Sequence, residues 1–272
     1  MAVTMAEISK LRTMTGAGMM DCKNALIEAA NDFDKAIEII RKKGQAVAAK
    51  RSDREASEGC VIAKADGGFA AVLALKCETD FVAKNADFVA LTQSILDVAL
   101  VEKPATVEAL SALKIGDKTI ADLIVERIGI TGEKMELDFY EFVQGGTTVA
   151  YIHPGNKLAT LVAFTEEGVD YQIARDIAMQ AAAMNPVSLD RASVPAKMIE
   201  TELEVGREKA REEGKPEAML EKIAQGRLNK FYQDSTLLEQ SFIKDSKITV
   251  EAYLKANKAT AIAFKRITLN QE

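Results

Sequence analysis

The chain writes the same order of elements twice, and that repetition limits the folds open to it. Residues 60–64 (CVIAK), a turn at Asp66-Gly67-Gly68 and residues 69–75 (FAAVLAL) read as a β-hairpin followed by a helical pattern. Residues 147–152, a His153-Pro154-Gly155-Asn156 turn, residues 157–164 and a helix over 169–184 return to that order. Between the copies lie a short helical piece over 107–113, a helix over 120–127 and a strand-like ELDFYEFV from Glu136. Hairpins set beside helices predict the α+β class with antiparallel sheets, not a doubly wound parallel sheet. The core is therefore expected as two repeated α+β subdomains.

With 272 residues, 48% of them hydrophobic, the chain has apolar material for more than one core. No apolar run reaches the length of a membrane span. The N-terminus has neither a signal-peptide apolar core nor the Arg-rich character of a transit segment, so the expected location is the cytoplasm, away from membranes. Cys22, Cys60 and Cys77 are odd in number and widely spaced, which argues for reduced thiols packed as small hydrophobes. A formal charge of −6 disfavours a dedicated nucleic-acid binder, which needs a basic excess on one face. His153 is the one histidine, and there is no nucleophile elbow, no phosphate loop ending in Lys-Ser or Lys-Thr and no metal-ligand cluster. An enzyme is the weaker reading, and neither cofactor nor metal is expected.

At the N-terminus, Ile8, Leu11 and Met14 form a helical stripe that stops at Thr15-Gly16-Ala17-Gly18. A second helix is expected over 21–30, with Met20, Ala25, Leu26 and Ala29 on its buried side. Asn31 or Asp32 caps a third, with Phe33, Ala36, Ile37 and Ile40 inward and Gly44 as its end after Arg41, Lys42 and Lys43. Met19 and Met20 are adjacent, so both cannot face one small core and at least one is expected in solvent. Residues 45–59 read as a linker with some helical tendency.

Residues 71–88 (AVLALKCETDFVAKNADF) run from an apolar strand into Thr79-Asp80-Phe81 and then a helix with apolar positions Phe88, Leu91, Ile95 and Val98. A carboxylate in the first turn suits the unpaired amides there. Two readings of Thr79-Asp80-Phe81 stand side by side: a cap with a hydrophobic staple, or a pair of side chains presented to a partner.

LRTMTGAGMMDCKNAL (11–26) and CETDFVAK (77–84) resemble the two signature stretches of the bacterial translation elongation factor Ts family, in the family's order over essentially the whole chain. The family commonly has Asn before the second motif's cysteine and Gln after it, where this chain has Lys76 and Glu78. The resemblance implies a guanine-nucleotide exchange factor for elongation factor Tu, met with GDP bound and nucleotide-free, without covalent chemistry. It implies a wedge of Thr79, Asp80, Phe81, Val82 and Lys84, and contacts from an N-terminal module through Leu11, Arg12, Met19, Met20 and Lys23. Further contacts are implied at Ile128, Gly129, His153, Ile243 and Lys244. An interaction scaffold, or a ribosome- or RNA-associated protein using Arg41–Lys43 and Lys50-Arg51, remains an alternative.

Residues 195–213 and the stretch after Gly214-Lys215-Pro216 carry thin apolar seams: Met198, Ile199, Leu203 and Ala210, then Met219, Leu220, Ile223, Leu228 and Phe231. They predict an antiparallel helical hairpin that protrudes, since it has too little apolar surface to form a core. A loop, a short helix and a final strand, TAIAFKRITL, follow. The expected division is a three-helix, UBA-like module over 1–55, one core subdomain over 56–145, a second over 146–190 and 233–272, and the hairpin over 191–232. Some family members carry a further C-terminal helical module, which is not expected before Glu272. Homodimerisation of the chain stays open.

Overall fold

The computed structural model describes residues 3–269 and is mixed helix and antiparallel sheet, the α+β class. The chain falls into two compact units. One holds residues up to Ile62 and Leu73–Tyr140, the other Ala63–Val72 and Glu141–Thr268.

The chain opens with α1 (Met5–Thr15), α2 (Met19–Glu28) and α3 (Phe33–Lys50). Strands β1 (Glu58–Asp66) and β2 (Phe69–Cys77) form the first hairpin, turning at Gly67, which holds φ 58°. Next come α4 (Asp80–Ala83), α5 (Ala86–Glu102), α6 (Val107–Ala112), the short pair β3 (Lys114–Ile115) and β4 (Lys118–Thr119), α7 (Ile120–Thr131) and β5 (Met135–Gln144). The first sheet has the order β1-β2-β5, and the central strand β2 is buried almost throughout, as its unbroken apolar run requires.

Helix α1 starts at a capping box, with Thr4 Oγ1 accepting from the Glu7 amide at 3.3 Å and Glu7 Oε2 from the Thr4 amide at 2.8 Å. Ile8, Leu11, Cys22, Ala25, Leu26 and Ala36 form the small core of the three helices. Several expectations need correction here. Met14 and Met20 are 53% and 63% exposed, not core, whereas Met19 packs against the cluster. Helix α2 starts earlier than expected and stops at Glu28, because Ala30 and Asn31 take positive φ of 51° and 69°.

Gly44 does not end α3, which continues to Lys50 and leaves only a short turn before β1. The residue is buried. Its missing side chain serves a helix crossing: a Cβ placed on Gly129 of α7 would stand 2.6 Å from the Gly44 Cα. The helix expected after Thr79 is two helices, α4 and α5, separated at Lys84-Asn85. Asn85 recaps the chain by accepting from the Asp87 and Phe88 amides at 3.0 and 3.3 Å. The inward residues of α5 are Phe88, Thr92, Ile95, Leu96, Ala99 and Leu100, with Leu91 and Val98 half-buried beside them.

The second unit repeats the hairpin as β6 (Thr147–Ile152) and β7 (Leu158–Phe164), paired antiparallel from Thr147 opposite Phe164 to Ile152 opposite Ala159. Helix α8 (Tyr171–Met184) follows, then α9 (Ala196–Glu212), α10 (Glu217–Ser235), β8 (Ser241–Phe242), β9 (Asp245–Thr249), α11 (Val250–Ala256) and β10 (Ala261–Thr268). β10 pairs antiparallel with β7, giving the order β10-β7-β6. Both sheets thus centre on the second hairpin strand, with a later strand on its far side. Val162, Phe164, Ile177, Ala181, Leu237, Phe242 and Leu254 lie in this unit's core.

α9 and α10 pack on each other along a seam whose buried residues are Gly206, Ala210, Leu220, Ala224 and Leu228. Met219 is 47% exposed, contrary to expectation, because close approach is made by small residues: a Cβ on Gly206 would lie 3.1 Å from the Ala224 Cα. Arg207–Glu221 at 2.9 Å and Arg211–Glu217 at 3.0 Å flank the seam. The segment expected as a loop after Asp234 contains the β8–β9 hairpin.

Candidate functional site

Thr79 is the N-cap of α4, its Oγ1 accepting from the Val82 amide at 3.5 Å, so the capping half of the structural reading holds. The staple half fails. Phe81 is 85% exposed and packs into no core, and no residue of α4 is buried. Val82 is half-buried, while Lys84 is exposed and pairs with Asp80 at 2.6 Å one turn back. The Phe81 ring therefore contributes nothing to the packing of the folded chain.

The backbone beneath this turn is held by two carboxylates. Glu133, just past the α7 cap Gly132, accepts from the Thr79 amide at 3.0 Å and from Thr79 Oγ1 at 2.6 Å. Glu78 accepts from the Lys134 amide at 2.7 Å and pairs with Arg51 at 3.3 Å. Behind them Cys77 donates its thiol to the Thr79 carbonyl at 3.2 Å. Burial, then the charge of Glu133, push that thiol from 9.0 up to about 12, so it is an inert packing group. Sequence reasoning missed Glu133: it lies far from Thr79 along the chain, in no motif, and only the folded pairing reveals it.

In the same unit Arg12, Met20 and Lys23 are exposed and Met19 is half-buried. Leu11 is fully buried and contributes packing beneath them. Ile128 is 5% exposed in the interior side of α7, and Gly129 makes the crossing with Gly44.

The remaining candidates lie in the second unit. His153 is exposed at the β6–β7 turn, its Nδ1 3.1 Å from the Tyr151 hydroxyl. Ile243 and Lys244 form the β8–β9 turn. Ile243 is 40% exposed, and its amide donates to Gln180 Oε1 at 2.8 Å. Lys244 reaches the buried Asp176 of α8 at 2.6 Å, where the Tyr253 hydroxyl at 3.2 Å and Gln172 at 2.6 Å also donate. Burial, with Asp176 beside it, pushes the Tyr253 hydroxyl up to about 12. Asp176 was not foreseen either, being one carboxylate in an otherwise ordinary helix.

The fold is an α+β scaffold in which one turn is fixed by paired carboxylates and carries its aromatic residue in water. Comparison with known proteins makes this specific. A family model described as Elongation factor TS matches residues 78–271. Elongation factor Ts of Porphyromonas gingivalis is 61% identical over 275 residues, covering 100% of both chains. Elongation factor Ts of Azobacteroides pseudotrichonymphae is 56% identical over 274 residues, again covering 100% of both. That of Phocaeicola vulgatus is 58% identical over 236 residues, 86% of this chain and 71% of the relative. The chain belongs to the elongation factor Ts family.

Proposed function

We propose that the protein acts in the cytoplasm as a guanine-nucleotide exchange factor for elongation factor Tu, and that Asp80 and Phe81 are its wedge. The observation that carries this reading is the 85% exposure of Phe81 on a turn fixed by Glu133. An exchange factor binds its nucleotide-free partner more tightly than the GDP-bound one, and linkage then makes GDP and the factor weaken each other by the same ratio.

The magnitude separates anchoring from prying. A thousandfold loss of GDP affinity requires about 4 kcal/mol of coupling. Burying one phenylalanine supplies at most about 3 kcal/mol, before any deformation of the partner. Phe81 therefore works with a wide interface: Arg12, Met19, Met20 and Lys23 hold one part of the GTPase, and His153, Ile243 and Lys244 hold another. Residues 1–55 act as the gripping module. Thus anchored, the wedge shifts the elements that coordinate magnesium and the β-phosphate, and loss of that ion removes a dominant local charge. No covalent bond is made or broken.

The test is release of fluorescent GDP from elongation factor Tu with the wild-type protein and with Phe81→Ala. Acceleration by the wild type and its loss in the variant are expected. No acceleration by the wild type refutes the function; full acceleration by Phe81→Ala refutes the wedge alone.

A further inference from the structure

Helix α4 has little of its own to hold it in place. Its four residues include none that is buried. One turn of helix does not support itself in water. Its direction is therefore set by the residue before it. Thr79 gives both of its donors, amide and hydroxyl, to the single carboxylate of Glu133. Glu78 reaches back the other way, to the amide of Lys134, the residue after Glu133. The contacts are reciprocal: residues 78–79 and 133–134 each supply a carboxylate to the other's backbone, and Arg51 neutralises Glu78. Charge-assisted bonds of this kind are among the stronger polar contacts, and both are partly shielded from solvent.

Resting on the exchange reading above, we propose that Glu133 is a positioning residue for nucleotide exchange: through Thr79 it fixes the direction in which Asp80 and Phe81 project. It acts through its two bonds to Thr79. Its removal leaves the anchoring surfaces in place and lets α4 sample other orientations, so the loss falls on the rate of release from the complex and not on its formation.

Three measurements test this. Glu133→Ala is expected to lower the maximal rate of GDP release about tenfold, while the concentration giving half that rate changes by about twofold or less. In an Asp80→Ala, Phe81→Ala background, Glu133→Ala is expected to cause no further loss, because a residue acting only through the wedge has nothing left to position. A maximal rate equal to wild type, or an equal loss in both backgrounds, overturns the proposal. Where circular dichroism shows that Glu133→Ala does not fold, Glu133→Gln replaces it; keeping one acceptor, it is expected to lose less. Amide hydrogen exchange on the free protein gives a readout independent of elongation factor Tu. Glu133→Ala is expected to speed exchange at residues 82–84, the amides bonded within this turn, and to leave α5 unchanged. Unchanged protection at 82–84 overturns the positioning role, whereas failure of the wild type to release GDP overturns only the exchange reading beneath it.

Discussion

Replacing each of the two crossing glycines by alanine should give unequal effects, with Gly129→Ala the less stable of the two. At Gly44 a Cβ would stand 3.4 Å from the Val125 carbonyl oxygen and 3.6 Å from the Gly129 Cα, which is ordinary contact. The position is interior to α3, where alanine is favoured over glycine by up to about 1 kcal/mol. Gly44→Ala is therefore expected to be neutral or to stabilise by up to about 1 kcal/mol. At Gly129 the same group would stand 2.6 Å from the Gly44 Cα, a backbone atom that cannot rotate aside. Relief requires α3 and α7 to separate by about 1 Å, and overpacking of this kind costs about 1–3 kcal/mol. Gly129→Ala also gains helix propensity, which offsets about 1 kcal/mol and leaves a net loss of about 2 kcal/mol at the upper end. Urea denaturation followed by far-ultraviolet circular dichroism reads both variants on one scale. Equal shifts, or a Gly129→Ala midpoint above wild type, would refute the assignment of this pair as a close helix crossing.

Phe81→Ala should leave the urea midpoint within about 0.5 kcal/mol of wild type, since the ring is in water, and a larger loss would mean that it packs. Cys22, Cys60 and Cys77 are all buried, so a thiol reagent at pH 8 should label the native protein far more slowly than the denatured one. Tyr140, held by the Pro104 carbonyl at 3.0 Å, has its hydroxyl raised by burial from 10.0 to about 12. The folded state thus keeps that proton more tightly than the unfolded chain. The contribution is complete below about pH 10 and is lost as the pH climbs toward about 12. Tyr140→Phe should flatten the fall of the urea midpoint over that range; an unchanged slope would count against it.

The two hairpins and their following helices were legible because their signals are local: a glycine-bearing turn between apolar runs, then a cap. The same local grammar misled at Gly44, where Arg41, Lys42 and Lys43 followed by glycine spell a helix end. What overrides them is Gly129, a tertiary neighbour that no window of sequence contains. Methionines at helical spacing were half right. Met19 packs and Met20 does not, a choice made by the small size of the three-helix core. Asp80 and Phe81 were legible as a motif, but only the exposure of the ring removes the staple from the cap-and-staple reading. Glu133 and Asp176 carried no sequence signal, since a buried or clasping carboxylate looks like any other until its donors are placed. The β8–β9 hairpin escaped notice because one strand is two residues long and the other exposed throughout, leaving no alternation to read.

The break at Lys84-Asn85 has a mechanical consequence. Were α4 continuous with α5, a push on Phe81 would travel along one stiff rod to Phe88 and Ile95, side chains set in the interior. Because Asn85 restarts the helix, α4 is separate from that rod and is held from its other end, by the polar contacts of Thr79 and Glu78. The aim of the tip and the packing of the core are thereby assigned to different residues, so either can change in sequence without the other.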